Sequence, residues 1–246
     1  MEFLRVASGE AAPSLAVLRG EDESLAPRAR ALAKIAATLT AEPWALTREA
    51  MEGLTHHGLD EEQIEAAIGV ISMFNYFTRV ADATGIEFDY TTPLPAFRPD
   101  LRQVTASRPG RSVSSRPAAG SRPRPRPRHP KLQRAWESWR TYVMEADEPL
   151  SRHERRLLAS VAAEETTDWA GAEALSEPGS AEGSDDVLAE FARKLSRQPW
   201  RMQGEDLESL RASGYSEVAV LHAISVVSHQ NADSRFVVGL RAAGRT

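Results

Sequence analysis

The feature that most restricts the fold is an internal repeat. Residues 32–79 and 188–235 match without gaps at an offset of 156 residues, and about a third of the aligned positions are identical. Leu32/Leu188, Pro43/Pro199, Trp44/Trp200, Gly58/Gly214, Ile68/Ile224, Ser72/Ser228, Asn75/Asn231 and Arg79/Arg235 are kept in both copies. A duplicated unit must bury the same faces twice, so the chain is expected to build two related halves from one helical pattern.

Each copy reads as three helices. Leu32, Ile35, Ala36 and Leu39 fall at i, i+3, i+4 and i+7, as do Leu188, Phe191, Ala192 and Leu195, which marks one buried helical face. Pro43 and Pro199 break the chain before a second helix that closes near Gly58 or Gly214. Asp60-x-x-Gln63 has the form of a capping box for the third helix, and Ser216 is the matching N-cap. Ahead of the second copy, Leu132, Ala135, Trp136, Trp139 and Val143 give an apolar stripe over about 131–146. Leu150 and Ser151-x-x-Glu154 then open a helix to about Ala163. Residues 170–185 read as a small, acidic, flexible connection, and strand-like alternation is absent. The fold class is all-α.

Nine of the 15 prolines lie in 91–130, with Arg and Pro alternating from Arg122 to Arg128. Residues 98–131 hold nine Arg, Lys131 and one acid, Asp100, a local charge of +9 that leaves −14 for the rest of a chain of net charge −5. The organisation is a first half over 1–92, a stiff, disordered Pro/Arg-rich linker over 93–130 and a second half over 131–246. A solvated linker resting on the acidic halves is preferred to an anion-binding arm, because no aromatic residues interleave the basic ones. This linker is the one candidate for nucleic-acid contact.

The chain has no cysteine, which removes disulfides, zinc–thiolate sites, iron–sulfur clusters and cysteine nucleophiles. The start, MEFLRVASGE, has acids where a signal peptide needs basic residues, and no apolar run approaches 18 residues, so a cytoplasmic location is expected.

The stretch from Leu25 to Asp89 resembles the C-terminal half of the alkylhydroperoxidase AhpD-like and carboxymuconolactone decarboxylase-like family, in its peroxidase-related branch. The Pro-Trp break, the Gly58-Leu59-Asp60 junction and FNYFTRVADATG (74–85) carry the resemblance. LSRHERRLLASVAAE (150–164) is similar to the family's N-terminal half. The resemblance implies an AhpD-like helical bundle, homo-oligomers formed through helical interfaces, and a Cys-x-x-Cys pair with a following His and an upstream Glu. One helical turn would place both sulfurs on one face, with the base keeping one thiol ionised. Here the cysteine positions fall at Asp168 and Gly171, or in the adjacent register at Thr167 and Ala170. Neither register supplies a thiol or an imidazole. The resemblance therefore implies a degenerate, duplicated member without thiol peroxidase activity, acting as a binding or structural partner subunit. The alternative is a cysteine-independent acid–base enzyme of the decarboxylase type, acting on a small carboxylate or lactone.

Glu154 falls near the family's upstream glutamate, so it reads either as a buried proton acceptor of raised pKa or as the capping partner of Ser151. Ser72, Asn75 and Arg79 share one helix face, as do Ser228, Asn231 and Arg235. Such a seam can hold a carboxylate by bidentate arginine contact, or can tie a helix to neighbouring carbonyls. Trp44 and Trp200 are core anchors or pocket walls. His56 and His57 are adjacent and make a poor metal pair, and His222 and His229 read as core or surface residues. No metal site and no cofactor are expected.

Overall fold

The structure is a computed structural model that describes Ala16 and residues 22–86, 108–110, 124–176 and 187–245. Most of the linker, and residues 177–186 of the acidic connection, lie outside these. Nine helices occur among the described residues, and no strand. They are α1 (Pro27–Ala41), α2 (Arg48–His56), α3 (Glu61–Thr84), α4 (Pro130–Met144), α5 (Arg152–Glu165), α6 (Trp169–Leu175), α7 (Val187–Arg197), α8 (Gly204–Ala212) and α9 (Glu217–Ala242). The all-α expectation holds.

The repeat is visible as α1–α3 and α7–α9. Pro43–Ala45 and Pro199–Arg201 each form a single 3₁₀ turn between the first two helices of a copy. Gly58 (φ 81°) and Gly214 (φ 94°) follow the ends of α2 and α8 in the left-handed region, where a side chain would be strained. Asp60 and Ser151 make complete capping boxes with Gln63 and Glu154, and Ser216 accepts from the Ala219 N–H. One expectation needs correction. Residues 169–175 are a helix rather than flexible chain, because Asp168 caps the N–H of Gly171 and the small residues Gly171 and Ala172 bury against α5.

The two copies are interleaved through their long helices, which run antiparallel. Ile35, Leu39, Met51, Leu54, Ile64 and Ile68 of the first copy close a core with Phe236 and Leu240, from the far end of α9. Leu188, Phe191, Leu195, Leu210, Val220 and Ile224 of the second copy take in Ala83, from the far end of α3, together with residues of α4 and α5. Close approach at the crossing needs Gly239, where a Cβ would stand 2.6 Å from Ile68 Cγ2. The Pro199–Arg201 turn packs on α3, and the Pro43–Ala45 turn packs on α9. Each half thus supplies a wall of the other's core.

This interleaving predicts one cooperative unfolding unit. Urea transitions followed by tryptophan fluorescence and far-UV circular dichroism should coincide. Phe236→Ala, although it lies in the second copy, should lower the stability of the whole chain by about 3 kcal/mol. Two separated transitions would contradict the shared cores.

Candidate functional site

The Ser/Asn/Arg seams lie where the two copies meet. Ser72, Asn75, Arg79, Ser228, Asn231 and Arg235 are all at most 3% exposed. Asn75 Nδ2 donates to Thr40 Oγ1 (3.0 Å) and Asn231 Nδ2 to Ser196 Oγ (2.8 Å), each within its own copy. The arginines cross over. Arg79 Nη2 donates to the Ser196 carbonyl (3.0 Å), and Arg235 Nη2 to the Thr40 carbonyl (2.9 Å). Thr40 and Ser196 are equivalent positions in the last turns of α1 and α7, where carbonyls lack intrahelical partners and the helix dipole is negative. Each guanidinium also donates to the Oδ1 and carbonyl of the asparagine four residues before it. Burial pushes Arg79 down to about 10, with Asp82 opposing. Burial, with Arg79 nearby, holds Arg235 well below the ordinary arginine value. Of the two roles open to these seams, the observed contacts are the tie to backbone carbonyls.

Glu154 does not have a raised pKa. Its oxygens accept from the Ser151 N–H and hydroxyl and from Tyr215 Oη (2.9 Å). Burial works against the carboxylate, but these donors outweigh it and hold the pKa below the ordinary glutamate value. Among the proline-tryptophan pairs it is Pro43 and Pro199 that are buried; Trp200 is about half exposed and Trp44 intermediate. His56 and His57 are exposed at the end of α2, and His222 Nδ1 meets the buried Arg155 guanidinium at 3.2 Å. A cleft of about 390 Å³ between α1 and α2, lined by Arg30, Ala31, Lys34, Ile35 and His57 among others, contains none of the predicted site residues.

The positions that the resemblance assigns to the cysteines lie at the start of α6, in a charged cluster closed by the linker. Asp168 is fully buried. Its carboxylate accepts from the Gly171 N–H, from Ser234 Oγ (3.1 Å) and from Arg124 Nη2 (2.7 Å), with Arg241 at 3.5 Å. Arg124 also bridges to Asp233, which in turn accepts from Trp136 Nε1 (2.9 Å). A Cβ on Gly171 would stand 2.6 Å from Arg124 Nη1 and closer still to Asp168 Oδ2, so the guanidinium fills the place of a side chain at 171. Thr167 sits at φ 60°, a costly conformation for a β-branched residue. Ala170 has no polar side chain to contribute.

Burial opposes the Arg124 charge, but Asp233 and Asp168 outweigh it and raise its pKa. Burial likewise opposes the Asp233 charge, yet Arg124, His229 and Trp136 hold the carboxyl below the ordinary value. His229, four residues before Asp233, is 1% exposed, rests edge-on against Trp139 (4.4 Å between ring centres) and has no hydrogen-bond partner among the described residues. Burial pushes it down to about 4, with Asp233 opposing and Arg140 and Arg124 assisting.

The part of the linker that is described is docked. Pro125 and Pro127 are buried while Arg124, Arg126 and Arg128 pair with Asp168 and Asp233, with Glu137, and with Glu61 and Glu65. Arg108 meets Glu165 (3.0 Å) and lies 5.9 Å over the Trp169 ring. Sequence reasoning anticipated contact with the acidic halves but missed Asp233 and Arg124 as a pair. The available signal was the departure of the second copy from the first. Met73, Phe74, Phe77 and Thr78 become His229, Gln230, Asp233 and Ser234, and the polar replacements at 233 and 234 reach Arg124 and Asp168.

Among the described residues no three His, Asp or Glu side chains gather as a metal site requires, and no helix is long and apolar enough to cross a membrane. No family model, curated protein or solved structure matches the chain.

Two outcomes are expected. Arg124→Ala should cost about 3 kcal/mol in urea unfolding, because it leaves Asp168 buried with Arg241 at 3.5 Å as its remaining ion pair and Asp233 with the Trp136 N–H; Asp233→Asn added to it should recover part of that loss. His229 has a native pKa below its unfolded value, so the unfolded state binds more protons between about 4 and 6.5. Its contribution is full above 6.5 and is lost as pH falls through that window, by about 3 kcal/mol in all. His229→Phe should flatten the decline measured between pH 7 and pH 4.

Proposed function

We propose that this chain is a degenerate, duplicated relative of the AhpD-like family that acts by binding and assembly, without thiol chemistry. One observation carries the reading: the segment aligned with the redox motif holds Asp168 and Gly171, and the chain's own Arg124 fills the space between them. A thiol peroxidase site needs an ionisable sulfur open to solvent with a base beside it. The fully buried Asp168, paired to a guanidinium, offers neither. The buried seams add support, since Arg79 and Arg235 are committed to the carbonyls of Ser196 and Thr40. In this reading the protein forms homo-oligomers through helical faces, as the family does.

The purified chain should consume hydrogen peroxide and an organic hydroperoxide no faster than buffer, with or without a dithiol reductant. Turnover that scales with protein concentration and is lost in Asp168→Ala would overturn the reading. Turnover of a small lactone carboxylate, abolished by Glu154→Gln, would favour the acid–base alternative instead.

A further inference from the structure

The duplication allows each face of α3 to be compared with the same face of α9, and at one place the two differ sharply. Val70, Phe74 and Phe77 are 57%, 62% and 54% exposed. Their counterparts in α9, Val226, Gln230 and Asp233, are 0%, 4% and 8% exposed. In α9 this side of the helix is covered by α4 and α5: Trp136 bonds Asp233 and packs on Phe236, Trp139 packs on His229, and Val226 joins the core with Leu158 and Val161. Polarity is inverted as well. The covered copy carries Gln and Asp at two of the three places, and the open copy carries two phenylalanines.

The open stripe has the form of an interface. Ala66, Val70, Phe74 and Phe77 recur at helical spacing on one side of α3. From Ala66 to Ala81 the only charged residue is Arg79, which is buried. Phe74 and Phe77 meet edge-to-face at 6.4 Å, and the row continues through Tyr76 into Trp139 and Trp136. The stripe is therefore continuous with the aromatic contact that already joins α3, α4 and α9. An exposed apolar patch of this kind on a soluble chain marks a contact surface.

We infer that the stripe is the contact between two copies of this chain, α3 against α3 about a two-fold axis. A two-fold contact places the same patch on both partners, so it must tolerate its own charge; this one has no exposed charge to repel. The axis runs near Phe74, so Val70 of each copy faces Phe77 of the other. The helix spans about 36 Å, long enough for two copies to meet along the uncharged stripe, with the exposed Arg134, Glu137 and Arg140 of α4 bordering the contact and alternating in sign. Each chain presents the open face once, so a closed dimer covers every such face. The inference rests on the binding-and-assembly reading, but it fails on mass rather than on turnover.

Light scattering coupled to size exclusion, at tens of micromolar, should give twice the chain mass of 27.0 kDa. Phe74→Glu with Phe77→Glu should halve that mass with the circular dichroism spectrum unchanged and with a urea midpoint that no longer rises with protein concentration, since both side chains are more than half exposed in the chain. Val70→Lys, a smaller change on the same stripe, should weaken dimerisation at least tenfold and supplies the test if the double variant is unstable. Val218→Glu with Leu221→Glu, on the exposed start of α9, should leave the dimer intact. A monomeric parent chain would overturn the inference. So would a dimer that survives the stripe variants, or one broken equally by the α9 control.

Discussion

The crossed arginines are the interaction on which the rest of the structure depends. A buried guanidinium without a carboxylate is expensive, and two within electrostatic range are more so. Here each is directed at the C-terminal carbonyls of a helix from the opposite copy, where the backbone's own partial negative charge is unsatisfied. The same turn is held from both sides, because Asn75 takes the Thr40 hydroxyl while Arg235 takes its carbonyl. Ser196 is held in the equivalent way by Asn231 and Arg79. Neither arginine can be satisfied by its own half alone, so the seam fixes the register of the antiparallel pair as well as its existence.

Much of the fold was legible in the sequence because it is written in local patterns. The i, i+3, i+4 periodicity of α1 and α7, the boxes at Asp60 and Ser151, and the glycines at 58 and 214 all act through nearby backbone. The structure has each of them in place. The crossing was not legible. Periodicity says that Ile68 is buried but not that Gly239 of the other copy meets it. An arginine on a buried face reads the same whether it meets a ligand carboxylate or a distant carbonyl. Helix α6 was missed because four of its seven residues are Ala or Gly and it carries no apolar stripe; its start is set by the Asp168 cap and its burial by α5.

The Pro/Arg segment shows how charge patterning misleads when read alone. Alternating Arg and Pro suggests a solvated polyproline segment, and the backbone over 124–127 does lack regular structure. What composition does not carry is where the acids lie. Buried prolines at 125 and 127 and outward arginines at 126 and 128 give the segment two chemically distinct sides, one apolar and one cationic. With Arg124 turned inward to a pair of buried carboxylates, the segment becomes a strap that joins α3, α4, α6 and α9.

The start of α6 is closed by charge and leaves no void. A void at a buried helix start would be costly. Here an N-cap carboxylate, a glycine and an imported guanidinium occupy the space, and Arg124, with the partly exposed Arg241, offsets the charges of Asp168 and Asp233. Gly171 belongs to that solution, since any side chain there would collide with Arg124. Where α4, α6 and the strap meet α9, the second copy thus carries polar residues at positions where the first copy has phenylalanine. The first copy has exposed phenylalanines at the matching positions of α3. The duplicated helix carries two surfaces with two solutions: one sealed by charge within the molecule, the other apolar and open to a partner.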